Sequence, residues 1–262
     1  MFCLKIIDAN GKTAALARGE NEVNLPVTRE YQEGDTIYLE ISEKPGYVWL
    51  QLDDALGSSL VYLTGDVHYQ IPFGDKRINL SPKVFSGDKH LVKVKKAKDF
   101  EITNYRNLAV NINDSHENDT CYPHASANVE TRGEAVFAAK NAIDGVTANM
   151  CHGEWPYASW GINRNPDAKM KLDFGREVET DRIIIYLRAD FPHDNWWKKM
   201  TVTFSDGEEK EFHLIKTEEG QEFLFDKKKI SWLEISHLIP SGEPSPFPAL
   251  AQIEVYGTEA QD

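Results

Sequence analysis

Apolar side chains alternate with polar ones over short runs through most of the chain. Phe2 to Asp8, Thr36 to Ile41 and Tyr47 to Leu52 each place apolar residues two apart, the spacing that puts them on one face of a strand. The turn Lys44-Pro45-Gly46 between the last two is hairpin punctuation. Shorter strands are predicted at Leu60 to Leu63, Val67 to Ile71 and His90 to Val94, separated by Gly65-Asp66, Gly74-Asp75 and Gly87-Asp88. The pattern lapses near Phe100 to Tyr105, and Asn107-Leu108-Ala109 opens a segment rich in Asn, Asp and Ser. We place a boundary there, giving an N-terminal β-sandwich over residues 1–104 and a second unit over 105–262. In the second unit a helix is predicted over Gly133 to Ile143, with Val136, Ala139 and Ile143 on one face and Gly145 as its stop. Strands are then predicted at Ala168 to Phe174, Arg182 to Leu187, Met200 to Phe204, Glu211 to Ile215, Glu222 to Phe225, Trp232 to Ser236 and Ile253 to Tyr256. The expectation is an all-β chain of two sandwiches.

Composition narrows the partners. The chain has 262 residues, 41% of them hydrophobic, enough for two packed cores. Its 42 acidic and 29 basic side chains leave a formal net charge of −13, a field that repels nucleic acid and anionic membranes. Lys93 to Lys98 and Lys227 to Lys229 sit beside strand-like residues and read as solvated faces. Cys3, Cys121 and Cys151 are too widely spaced for a zinc or redox pair. The start MFCLKIIDANGK carries no secretory pattern, so the expected location is cytoplasmic, or extracellular if the chain is a piece of a longer precursor. In the first hundred residues Trp49, Tyr62, Tyr69 and Phe73 could line a groove, although aromatics at strand spacing are core residues more often.

The second half carries an ordered series: Asn107-Leu108-Ala109, Asn141-Ala142-Ile143-Asp144-Gly145, Lys171-Leu172-Asp173-Phe174-Gly175, Ser205-Asp206-Gly207 and Ala251-Gln252-Ile253-Glu254-Val255-Tyr256-Gly257. It resembles the discoidin, or coagulation-factor type C, superfamily, and within it the bacterial galactose-binding-like carbohydrate-binding modules. The resemblance implies a jelly roll whose loops at one end hold a mono- or oligosaccharide. It also implies a structural calcium ion held by the Asp144 side chain, the carbonyls of Asn141, Val146 and Ala251, Asn149 where a Thr is usual, and Gln252 where a Glu is usual. The Gln removes one negative charge from that set.

A sugar pocket needs a flat apolar face and a few fixed polar groups. The segment Arg188 to Trp197 offers both: Arg188, His193 and Asp194 could read hydroxyls, and Trp196 or Trp197 could stack, one of the pair facing inward if the backbone is extended. The segment His152 to Trp160 adds His152, Trp155 and Tyr157; the resemblance implies that this region borders the ligand and that Trp155 or Trp160 is the family's buried tryptophan. Phe247 matches a late-loop aromatic that stacks on sugar in related modules. Catalysis by paired carboxylates such as Asp190, Asp194 and Glu154, and a protein-binding adhesion role, are the alternatives; no nucleophile elbow, HExxH, phosphate loop or dinucleotide fingerprint supports an enzyme.

Overall fold

The structure, a computed structural model, describes residues 1–191, 193 and 195–260. Two β assemblies occupy it. In the first, β1 (Phe2–Ile7), β2 (Thr13–Gly19), β3 (Glu22–Val27), β4 (Thr36–Ile41), β5 (Gly46–Gln51), β6 (Ser59–Leu63), β7 (Val67–Gln70) and β8 (His90–Lys96) form two antiparallel sheets. One runs β2-β1-β4-β7 and the other carries β6-β5-β8-β3. The alternation seen in sequence faces the space between them: Leu4, Ile6, Ile37, Leu39, Leu50 and Val94 are fully buried in a common cluster. β2 and β3 were not predicted. Thr13–Gly19 is an edge strand with exposed and half-buried positions, and a strand that buries so little leaves a weak periodic trace.

The second assembly follows a short helix, α1 (Asp99–Thr103). It contains β9 (Arg106–Asn107), β10 (Cys121–Tyr122), β11 (His124–Ala127), β12 (Trp160–Gly161), β13 (Met170–Leu187), β14 (Trp197–Phe204), β15 (Glu209–His213), β16 (Gln221–Pro240) and β17 (Ala249–Glu259). The predicted pairs of short strands at 168–174 and 182–187, and at 222–225 and 232–236, are each one long strand with breaks in its register. Before Gly175, Met170–Asp173 of β13 lies between β11 and residues 232–235 of β16. After it, Val178–Ile185 lies between β17 and residues 221–230 of β16. The break lets one strand serve two layers around a core that includes Trp160, Met170, Phe174, Trp197 and Phe204.

The predicted helix over Gly133 to Ile143 is corrected. Three separate 3-10 turns, Thr131–Gly133, Ala135–Phe137 and Ala139–Ile143, stand in its place. Glu134 and Ala138 are extended and interrupt any continuous ladder. Side chains supply what the ladder would have: the Asn141 amide donates to the Ala135 carbonyl, and Glu130 accepts from the Ala139 N–H. Apolar spacing alone could not separate these arrangements, because Val136, Ala139 and Ile143 are buried in either.

Residues 106–123, assigned by sequence to the second half, touch both cores. β10 pairs with β6 and brings Cys121 into the first cluster. The Asn113 amide donates to the Leu50 carbonyl and the Ile112 N–H to Ser59. The strongest cross-link lies at the end of β17. Glu259 accepts both arms of Arg176 at 2.8 Å, Arg106 at 2.5 Å and the Tyr47 hydroxyl at 2.6 Å. The Arg176 guanidinium also lies over the rings of Tyr47 and Tyr62, 5.4 and 5.3 Å from their centroids. Burial works against the Glu259 charge, but the hydrogen bonds from Arg176 win and hold its carboxyl below the ordinary value. The stabilisation is therefore whole above the unfolded carboxyl pKa and is lost as pH falls through the depressed folded one. Removing this carboxylate strands a buried guanidinium. Glu259→Ala should cost about 3–5 kcal/mol in urea unfolding at neutral pH, and the acid limb of stability against pH should be shallower in the variant.

Candidate functional site

At one end of the second assembly, loops enclose a cleft of about 320 Å³, within the range of roughly 300–1,000 Å³ usual for small-molecule sites. Its lining comes from four places: the 3-10 segment (Thr131, Arg132, Phe137), the turn after β12 (Ile162, Asn163, Arg164), the end of β13 and beyond (Arg188, His193), and the approach to β17 (Pro246, Phe247, Pro248), with His152 at the rim. The sequence placed Arg188, His193, His152 and Phe247 in a site, and these four do converge.

The register of β13 against β17 makes that convergence. Leu187 pairs with Leu250 and Tyr186 with Gln252, so Ala251 is an extra residue in the ladder, a bulge beside the site. One residue further, the Arg188 N–H donates to the Ala249 carbonyl and its guanidinium to the Phe247 carbonyl at 2.8 Å. Arg188 is only 4% exposed. A buried, permanently charged fork is thereby fixed under the loop that carries the Phe247 ring, itself 41% exposed. On the opposite wall, the Asn163 N–H donates to Thr131 Oγ1. Gly161 lets these pieces meet, since a Cβ there would come within 2.7 Å of Thr131 Oγ1 and 3.1 Å of the Phe137 ring. Arg132, Asn163 and Arg164 all have positive φ, three of the five such non-glycine residues among the described ones. Left-handed backbone at non-glycine residues is costly and tends to collect where side chains must be aimed.

His152 and His193 meet over one carboxylate. Asp190 Oδ2 lies 2.5 Å from His152 Nδ1 and 3.6 Å from His193 Nδ1, and the two rings are edge to face with centroids 6.3 Å apart. Burial pushes the Asp190 carboxyl up, yet its hydrogen bonds with the two histidines hold it below its ordinary value. Exposed Cys151 completes a group in which its Sγ, a His152 nitrogen and an Asp190 oxygen lie within 4.8 Å of one another.

Other expected ligand contacts fall elsewhere. Trp197 is 1% exposed and packs against Trp160 with centroids 6.3 Å apart, so it is a core residue. Trp196 is half-buried against the same core and its indole N–H donates to Glu243 at 3.1 Å, away from the cleft lining. Consecutive residues entering an extended strand face opposite sides, and here neither side is the cleft. Trp155 is exposed and lies outside the cleft lining, with its backbone N–H donating to the Ile78 carbonyl of the first assembly. Tyr157 also lies outside the lining, its N–H closing a turn onto the Glu154 carbonyl. Asp194 falls outside the described residues. Sequence reasoning missed Phe137, Asn163 and Arg164; the only trace was the turn-forming run Asn163-Arg164-Asn165 between two strands.

The expected metal loop is brought together in part. Asp144 Oδ1 accepts the Val146 N–H, and Gln252 Oε1 accepts the Gly145 N–H at 3.3 Å, so loop and last strand adjoin. The Asn149 amide donates to the carbonyls of Leu187 and Glu218. The Asn141 side chain is engaged by Asn79, Ala135 and Ser159, leaving its carbonyl as the donor in question. Burial pushes the Asp144 carboxyl up to about 7, against the Val146 hydrogen bond and the attraction of Lys140.

No family model matches the chain, and no curated protein matches it. Solved structures similar to part of it include chitosan-binding module 1 of a chitosanase/glucanase from Paenibacillus sp. IK-5, 17% identical, spanning 59% of this chain and 100% of that one with a TM-score of 0.40. The family 32 carbohydrate-binding module of Clostridium perfringens NanJ, solved with galactose, is 20% identical over 50% of this chain and 91% of its own, with a TM-score of 0.37. The lectin domain of Lectinolysin, solved with Lewis B antigen, is 18% identical over 58% and 96%, with a TM-score of 0.43.

The different positions of the two aromatics should separate in stability. Trp197→Ala should cost about 3–5 kcal/mol by denaturant unfolding, whereas Phe247→Ala, at a half-exposed loop tip, should stay within about 0.5 kcal/mol of wild type.

Proposed function

We propose that the chain binds carbohydrate without turning it over, through the cleft between Phe247, Arg188 and His152. The observation that carries this is the pairing of an apolar wall, formed by Phe137, Ile162, Phe247 and two prolines, with a buried guanidinium and ring nitrogens fixed by their own partners. Sugars present apolar C–H faces and fixed rows of hydroxyls, and this lining matches both. Glycosidic cleavage uses two carboxylates flanking the bond; Asp190, beside the cleft, is engaged by His152 and His193. A galactose-like pyranose is one candidate ligand. On a glycan array the chain should retain at least one class of glycan, with no release of fluorophore from the corresponding fluorogenic glycosides. Phe247→Ala should weaken binding of the best array ligand about tenfold or more. Turnover, or binding indifferent to this substitution, would refute the proposal.

A structural calcium ion fits the second feature at this end of the fold. Asp144 is a half-buried carboxylate whose charge the protein offsets poorly, and the Ala251 bulge removes a residue from regular pairing beside it. Asp144, Asn149 and Gln252 would hold the ion by side-chain oxygens, joined by carbonyls of Asn141, Val146 and Ala251; bound there it would pin the loop to β17. Calcium added to chelator-treated protein should raise the melting temperature, and Asp144→Asn should abolish that rise. An identical rise in the variant would place the ion elsewhere.

A further inference from the structure

Arg164 has no role in the fold that its contacts reveal. Its guanidinium lies 4.5 Å from the centroid of the Phe247 ring, and among the described residues no carboxylate comes within ion-pair distance of it and no hydrogen bond engages it. It is exposed, yet it is aimed: Asn163 and Arg164 adopt φ of 49° and 59° in succession, and the Asn163 N–H is tied down to Thr131. Two consecutive left-handed non-glycine residues are a costly way to build an ordinary surface turn.

The electrostatic setting sharpens the point. The chain carries a formal charge of −13, but the described titratable side chains lining this cleft are Arg132, Arg164, Arg188, His152 and His193, the two histidines sharing the Asp190 carboxylate. Arg132 is engaged by Glu134, in an exposed pair that a stronger anion can displace at small cost. A guanidinium lying over an aromatic ring still presents N–H donors at its edge, the geometry that grips a carboxylate or sulfate bidentately.

Resting on the carbohydrate reading, we infer that the cleft selects an acidic sugar, a pyranose bearing a carboxylate or sulfate, and that Arg164 on Phe247 receives the anionic group while the ring face meets the remaining wall. Neutral sugars would leave the Arg164 donors to water.

The test compares methyl galactopyranoside, galacturonic acid and galactose 6-sulfate by calorimetry on the full chain, with sodium sulfate alone as a fourth titrant. At low salt at least one acidic sugar should bind about tenfold tighter than the neutral one, and that ratio should shrink as ionic strength rises. The two acidic sugars tell carboxylate from sulfate. Arg164→Gln should collapse the ratio toward one, and Arg164→Lys, which keeps the charge but not the fork, should restore only part of it. Equal affinity for acidic and neutral sugars overturns the anionic inference while leaving carbohydrate binding in place. Sulfate binding as tightly as the sulfated sugar overturns it as well, by reducing the site to an anion hole. Failure of all three sugars overturns the acidic-sugar inference, and retention or loss of every glycan on the array then decides the carbohydrate reading separately.

Discussion

The antiparallel ladder between β13 and β17 is the constraint on which the cleft depends. Its pairs run from Val178 with Glu259 at one end to Leu187 with Leu250 at the other. At the first end the ladder delivers Glu259 to Arg176, Arg106 and Tyr47, joining the second assembly to the first. At the second end it delivers Arg188 to the carbonyl of Phe247. A one-residue slip in this pairing would turn the alternating side chains to the other face and separate both sets of partners. The same strand thus anchors the molecule and sets the floor of the cleft.

Division of labour follows from burial. Trp160 and Trp197 fill the space beneath the loops, while Phe247 and Arg164 remain at the surface above them. Loops set on a packed sandwich can carry left-handed residues and half-exposed aromatics because the core supplies the stability they lack. The bulge at Ala251 belongs to both worlds: it sits in the ladder, and it lies between the cleft on one side and the Asp144 loop on the other. Occupancy of the proposed ion site would therefore stiffen the strand from which Phe247 projects its loop.

Much of this was legible in the sequence, for definite reasons. Period-two alternation at Thr36 to Ile41 matched the observed strand because one face is buried and the other is not. Arg188, His193, His152 and Phe247 stood out as polar and aromatic residues in connecting segments, and they share one cleft. The choice between Trp196 and Trp197 was not legible, since neighbouring indoles differ only in which way the strand pairs. The 3-10 turns at 131–143 were hidden because their apolar spacing also suits a helix. Arg164 was invisible for a different reason: its meaning comes from the ring it lies over, 83 positions away in the chain.

The central claim is that the loop-end cleft of the second assembly is where sugar binds. A crystal structure of the full chain soaked with its tightest-binding glycan tests this most directly. The account requires a pyranose ring between Phe247, Arg188 and His152. A sugar lodged instead in the groove between the two assemblies, against Phe73, Lys76 and Glu134, with the Phe247 cleft empty, would contradict it.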